Sequence, residues 1–127
     1  MSQPQQSLFD ALGGQQGVAQ AVDEMYRRVL ADDQLAHFFA NADLVRLRRM
    51  QTEFFSAMVD GPVRYSGAEL QEIHRGRGIE QRHFSRFCSH LVDALNERGV
   101  ANHLVDQVLG RLAMYSDKIT GTANIDG

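Results

Sequence analysis

His74, Tyr26 and Gln51 are the side chains whose type and position suggest chemistry. His74 closes the run Leu70-Gln71-Glu72-Ile73-His74 and is followed at once by Arg75-Gly76-Arg77-Gly78-Ile79. The glycines hold the imidazole at the end of a short rigid element, from which it can reach a cavity between helices. Imidazole is the commonest metal ligand among side chains, yet a lone histidine is more often a surface or packing residue. Tyr26 falls in line with Val22 and Val29 at helical spacing, and Gln51 in line with Leu47 and Phe55. An amide buried on such a face without a partner costs about 1–3 kcal/mol, and buried tyrosine hydroxyls usually find one. Two readings stay open. Either the pair is satisfied by each other or by backbone carbonyls, or both face a polar ligand in a dry cavity. The pattern alone favours the first, since most buried polar groups are satisfied within the protein.

The rest of the chain must position these groups. Its 127 residues predict a single domain over 1–127 with a core at about 7–120. Hydrophobic residues make up 43% and charged residues 23%, as in soluble globular proteins, and a net charge of −3 speaks against a nucleic-acid binder. No apolar run is long enough to span a bilayer, and Met1–Gln6 is too polar for a signal peptide. The expected location is the cytoplasm. A single cysteine, Cys88, excludes an internal disulfide.

Apolar residues recur at three- and four-residue spacing, strand-like alternation is absent, and the only prolines are Pro4 and Pro62. The expected class is all-α. Ser7 and Asp10 predict a capped single-turn helix stopped by Gly13-Gly14. A helix from Gln15 to Ala31 presents Val18, Val22, Met25, Tyr26 and Val29, and a short turn from Asp32-Asp33 ends at Phe38-Phe39. A helix from Asp43 to Val59 presents Leu44, Leu47, Gln51, Phe55 and Met58. Val63–Ser66 reads as a loop and Gly67–His74 as the short helix carrying the histidine. A helix from Glu80 to Arg98 buries Phe84, Phe87, Cys88, Leu91 and Leu95. The last helix, capped by Asn102, runs through Val105, Val108, Leu109, Leu112, Tyr115 and Ile119. The ends Met1–Gln6 and Gly121–Gly127 are expected to fray.

Tyr26-Arg27-Arg28-Val29-Leu30-Ala31-Asp32, Phe38-Phe39, Gln51-Thr52-Glu53-Phe54-Phe55 and His74-Arg75-Gly76-Arg77-Gly78-Ile79, followed by His83-Phe84, together resemble the truncated haemoglobins. The likeness is to group I, the mycobacterial haemoglobin N type, and runs from Ser7 to Ile119. It implies a globin-like, two-over-two helical sandwich around haem b (iron protoporphyrin IX). By that resemblance His74 is the proximal ligand of the iron, with an acceptor expected for its other N–H. Tyr26 and Gln51 become the distal polar pair. Leu47 takes the distal place that histidine holds in many globins, which leaves the iron without a second protein ligand. Phe39 packs on the porphyrin and Phe55 lines a tunnel. Leu70, Ile79 and Phe84 flank the ring on the proximal side, and Arg46 and Tyr65 are left as partners for the propionates.

Three departures from that pattern stand out. Met50 replaces a lysine that reaches a propionate in many relatives, which puts the anchoring of haem in question. Asp60-Gly61 replaces a Gly-Gly pair, which puts that loop in question. Met1–Gln6 stands in place of a basic leading extension of some relatives, and the reaction rate is the property this touches.

The resemblance implies dioxygen binding, with negative charge on the oxygen stabilised by Tyr26 and Gln51 as donors already aimed at it. Reaction with nitric oxide would give nitrate, making these two the catalytic residues of a nitric oxide dioxygenase. O2, NO and CO are the expected ligands. Each turnover needs an electron, and the sequence has no Gly-rich phosphate loop after a strand, so a separate reductase is expected. The alternative is an oxygen store, carrier or sensor without turnover. Peroxidase-like or electron-transfer chemistry ranks below both for want of a distal histidine base.

His37, His83, His90 and His103 show no metal-ligand spacing and are expected in surface or packing roles, His83 with a weaker claim to lie near the haem edge. Cys88 is expected to be buried and inert. Arg46, Arg48 and Arg49 form a basic cluster beside the haem mouth: a solvated face, a propionate clamp or a dock for an acidic reductase. A monomer or weak homodimer is expected, with no nucleic-acid partner and no membrane span.

Overall fold

The computed structural model describes residues 6–65 and 67–121, so the expectations for Ser66 and for most of both tails lie outside the described residues. The described residues form α1 (Leu8–Ala11), α2 (Gly14–Leu30), a 3₁₀ turn (Ala36–Phe39), α3 (Leu44–Met58), α4 (Gly67–His74), α5 (Gln81–Glu97), α6 (Asn102–Ala113) and α7 (Ser116–Thr120). No strand occurs among them, and no helix is long and apolar enough to cross a membrane.

Side chains start several of these helices. Ser7 Oγ accepts the Asp10 N–H at 3.1 Å to open α1, and the Asp43 carboxylate accepts the Arg46 N–H at 3.2 Å to open α3. At α5 the cap is mutual: the Glu80 side chain takes a first-turn N–H while His83 Nδ1 accepts the Glu80 N–H at 2.9 Å. α4 stops at His74 because the chain turns left-handed at Gly76 and Gly78, both at φ 73°.

α2 lies against both α3 and α5, and α5 against α6, which builds the two-over-two sandwich. The core is filled by Val22, Met25 and Val29 from α2, Phe54, Phe55 and Met58 from α3, Leu91, Ala94 and Leu95 from α5, and Val105, Val108 and Leu112 from α6. Burying each large apolar side chain of this set contributes about 1.5–3 kcal/mol. α4 finds its main helical neighbour in α7 and otherwise borders a cavity.

A buried carboxylate, Asp32, ties the chain just past α2 to Arg86 and His90 on α5. The Asp32 carboxylate accepts from Arg86 Nε and His90 Nε2, both at 2.6 Å, and from the Gln34 N–H at 3.0 Å. The Arg86 and His90 bonds hold its carboxyl well below the usual carboxylate range.

Four expectations need correction. Leu44 is 38% exposed, because the first residue of α3 projects past the core instead of into it. The last helix is two helices, since Tyr115 leaves helical geometry at φ −98°, ψ 0°, and the break returns Ile119 to the cavity wall. Ala101, not Asn102, is the cap of α6: it holds the extended conformation while Asn102 is already helical. Phe87 and Cys88 are half-buried, Phe87 because it lines the cavity.

The Asp60-Gly61 turn keeps the left-handed geometry that a glycine pair would allow. Asp60 sits at φ 70°, a conformation costing a non-glycine residue about 1–2 kcal/mol. Arg111 offsets this by donating to the Asp60 carboxylate at 2.7 Å and to the Met58 carbonyl at 2.9 Å. Gly61 has no such latitude: a Cβ there would stand 2.7 Å from the Phe9 ring and from the Ser56 carbonyl.

Candidate functional site

A cavity of about 380 Å³ opens between α2, α3, α4 and α5, within the range of small-molecule sites. Every site residue expected from the sequence lines it: Tyr26, Phe39, Arg46, Leu47, Gln51, Phe55, Tyr65, Leu70, His74, Ile79 and Phe84. Residues 26, 51 and 74 come from three different helices, so the fold is what brings them to one space.

His74 is half-buried at the end of α4. Its Nδ1–H donates to the Leu70 carbonyl one turn back, at 2.7 Å. That bond fixes the tautomer and leaves the Nε2 lone pair free on a ring that lines the cavity. Burial, aided by the charge of Arg77 and opposed by the Leu70 bond, lowers the pKa of the imidazole and favours its neutral, ligating form.

Tyr26 is 1% exposed. The rings of Phe39 and Phe87 meet it edge-on, with centroids at 5.5 and 6.1 Å, and so fix the direction of its phenol. Burial drives its pKa far up, so the hydroxyl keeps its proton and remains a donor. Neither this hydroxyl nor the half-buried Gln51 amide has a hydrogen-bond partner among the described residues. The plainer reading of these two polar residues, mutual satisfaction, is therefore not what the fold contains.

The walls are otherwise apolar and aromatic. Phe54 touches Phe55 and Tyr65 edge-on at centroid distances of 5.3 and 5.2 Å. Phe55 also borders a second cavity of about 20 Å³, walled by Val18, Val22 and Leu91. It stands between the two spaces. Arg46 and Arg77 line the mouth and are exposed.

Several lining residues were not among the expected ones. Met50, Phe38, Phe54, Phe87 and Arg77 face the cavity, and so does His83. His83 is 6% exposed, edge-on to Phe38 at 4.8 Å, and its Nδ1 is occupied in capping α5. His83 thus combines a packing role, as the cap of α5, with a place on the cavity wall. A helix cap read from Glu80 and residue 83 would have found its buried position. Arg48, by contrast, leaves the basic cluster and pairs with Asp23 at 3.8 Å. Partial burial pushes the Cys88 thiol up to about 11, which disfavours the reactive thiolate.

These residues fit an iron macrocycle. Among the described residues no three His, Cys, Asp or Glu side chains converge to hold a bare metal ion. A site with one imidazole holds a metal when the remaining ligands come from a planar cofactor. The dry, ring-lined space accepts an apolar plate, and cationic side chains at its mouth match the carboxylates of haem.

Comparison with known proteins agrees. The profile of the bacterial-like globins matches residues 7–121. A group 1 truncated haemoglobin of Mycolicibacterium paratuberculosis is 42% identical over 118 residues, covering 92% of this chain and 87% of that protein. One from Tetrahymena pyriformis is 33% identical, covering 84% of this chain and 88% of that protein. In structure, the Fe(III) truncated haemoglobin of T. pyriformis superposes with a TM-score of 0.84 at 29% identity, over 90% of this chain and 97% of that one. The 2/2 haemoglobin of Synechococcus sp. PCC 7002, in its cyanomet state with covalently attached haem, gives 0.83 at 28% identity, over 91% and 99%. The chain belongs to the bacterial-like globin family, among its group 1 truncated haemoglobins.

Proposed function

We propose that this globin binds haem b through His74, binds dioxygen on the opposite side, and acts as a nitric oxide dioxygenase. The observation that carries this reading is the hydroxyl of the buried Tyr26, held in place by two rings and without a hydrogen-bond partner among the described residues. When bound, haem supplies an iron centre that takes up dioxygen and, with nitric oxide and one electron, yields nitrate.

The chain's own residues do the rest. His74 offers Nε2 to the metal, and the Leu70 carbonyl holds the ring in the ligating tautomer. Tyr26 would donate a hydrogen bond to a partly negative oxygen while keeping its proton, and Gln51 would add a second donor from α3. Leu47 and Phe39 exclude water and a competing protein ligand from that side. Leu70, Ile79 and Phe84 pack the histidine side, while Arg46 and Tyr65 hold the carboxylates at the mouth. Phe55 borders the inner route for gases. The electron comes from a separate reductase.

Mixing the oxygenated protein with nitric oxide in a stopped-flow instrument tests the enzymatic reading. Rapid oxidation with stoichiometric nitrate is expected. Slow oxidation, or rapid reversible oxygen release without nitrate, would instead identify a carrier or store.

A further inference from the structure

Thirteen lysine and arginine residues occur in this chain of net charge −3. Arg27, Arg28, Arg48, Arg82, Arg86 and Arg111 each pair with a carboxylate of the same chain. The others have no such partner among the described residues. Of these, Arg98 lies away from the cavity mouth, and Lys118 adjoins Ile119 of the cavity wall. Arg46 and Arg77 line the mouth, Arg49 is one turn along α3 from Arg46, Arg75 adjoins His74, and Arg64 adjoins Tyr65.

All five mouth arginines are exposed. The acids nearby form no ion pair with them: the Asp43 carboxylate caps α3, and neither Glu53 nor Glu72 is paired with any of the five. An overall acidic protein thus gathers five of its seven cations that are unpaired among the described residues around one opening, and three of them, Arg49, Arg64 and Arg75, stand outside the pocket lining that would face the haem carboxylates.

We infer that this rim is the docking face for a small acidic one-electron carrier, with Arg49 and Arg75 as contacts outside the cofactor pocket. The inference rests on the proposed haem chemistry, which needs an external electron. In the step itself the reduced carrier loses one electron and the haem iron, Fe(III), gains it to become Fe(II). No bond forms or breaks. Against an acidic partner the net charge of −3 is repulsive at long range. Only a local patch can then set the approach and turn the cofactor edge toward the donor.

The test uses the haem-loaded protein and an acidic flavodoxin as probe. Binding of oxidised flavodoxin is measured by calorimetry at low and high salt, and reduction by reduced flavodoxin is followed in parallel. Affinity is expected to fall steeply with salt. The double variant Arg49→Glu/Arg75→Glu should lose about tenfold or more in affinity and in reduction rate, with its Soret spectrum intact. Reduction by neutral reduced riboflavin should not change. The control Arg98→Glu/Asn102→Asp/Gln107→Glu carries the same change in net charge on exposed positions outside the lining of this cavity and should bind within about twofold of wild type. Equal losses in both variants, or no binding at low salt, would overturn the docking face. A missing Soret band in the wild type would instead overturn the haem reading.

Discussion

Two sets of polar side chains interrupt the apolar interior, and they are wired in opposite ways. Just past α2, Asp32 receives hydrogen bonds from Arg86, His90 and the Gln34 backbone. A little earlier on the same stretch of chain, Tyr26 lines the cavity with no hydrogen-bond partner among the described residues, and Gln51 has none there either. His74 stands between these extremes, one ring nitrogen bonded to a carbonyl and the other open. A satisfied cluster fixes the packing of α5 on α2 and needs nothing more. An open set keeps its donors available to whatever fills the cavity. Polar burial by itself therefore says little; whether the donors are occupied separates structure from function.

The largest effect should come from His74→Ala. Haem affinity should fall by at least about 100-fold, seen as a lost Soret band on titration, and added imidazole should restore it in part. The cofactor-free variant should remain folded, within about 1 kcal/mol of wild type in urea, because a half-buried ring is removed. Unfolding of that variant would move His74 into the structural set. Acid should act through the same ring. Its folded pKa is lowered from the ordinary 6.5, so in the window just below 6.5 the unfolded chain takes the proton first. Its contribution to stability is thus intact above 6.5 and declines as the pH falls toward the folded value. Haem uptake should hold level to below pH 6.5 and only then drop.

Next in size is Tyr26→Phe. A hydrogen bond to a charged acceptor is worth about 1.5–3 kcal/mol, so oxygen release should quicken by about 10- to 150-fold with haem retained. The cofactor-free protein should be as stable as wild type or more so, since an unpartnered hydroxyl is gone. A clear loss of stability would show that the phenol is part of the packing scheme after all.

Much of this was legible in the sequence, for reasons that also explain what was not. α2 and α5 are marked by long apolar stripes and end within two residues of the last position of each stripe, Val29 and Leu95. The faces of α2 and α3 also put Tyr26 and Gln51 among apolar neighbours, which is how they were noticed. Phe54 was missed because α3 is buried on two sides, toward the core and toward the cavity, so its apolar arc is wider than one stripe. The break at Tyr115 has no glycine or proline to announce it. The Asp32 cluster joins residues 54 and 58 positions apart, and no local pattern encodes such a contact. His74 and the distal pair were assigned roles only once the combined motif pointed to a globin.

Asp32→Asn probes the satisfied set. The thermal midpoint should drop by several degrees while oxygen release stays within about twofold of wild type. The pH dependence carries a definite sign. The Asp32 carboxyl lies below its ordinary value near 3.8, so its stabilisation is complete above that value and lost as the pH falls toward the folded one. Circular dichroism melts between pH 5 and 2 should therefore fall less steeply in the variant. An equal slope would mean that the cluster is not what acid dismantles.

The smallest effect separates two kinds of open group. Ser56 lies on α3 at 2% exposure, and its hydroxyl has no partner among the described residues. Unlike Tyr26 it borders neither cavity. Its unmet bond therefore faces packed protein, where a gas or a cofactor cannot reach it. Ser56→Ala removes the orphan hydroxyl and introduces a better helix former, so stability should stay level or rise by up to about 1 kcal/mol. Oxygen release should not respond. If the same variant changed release as Tyr26→Phe does, the cavity would extend past Phe55 to the far side of α3, and openness alone would suffice to mark a functional group. A silent Ser56 makes the narrower rule hold: an unpartnered donor matters to function where a cavity lies in front of it.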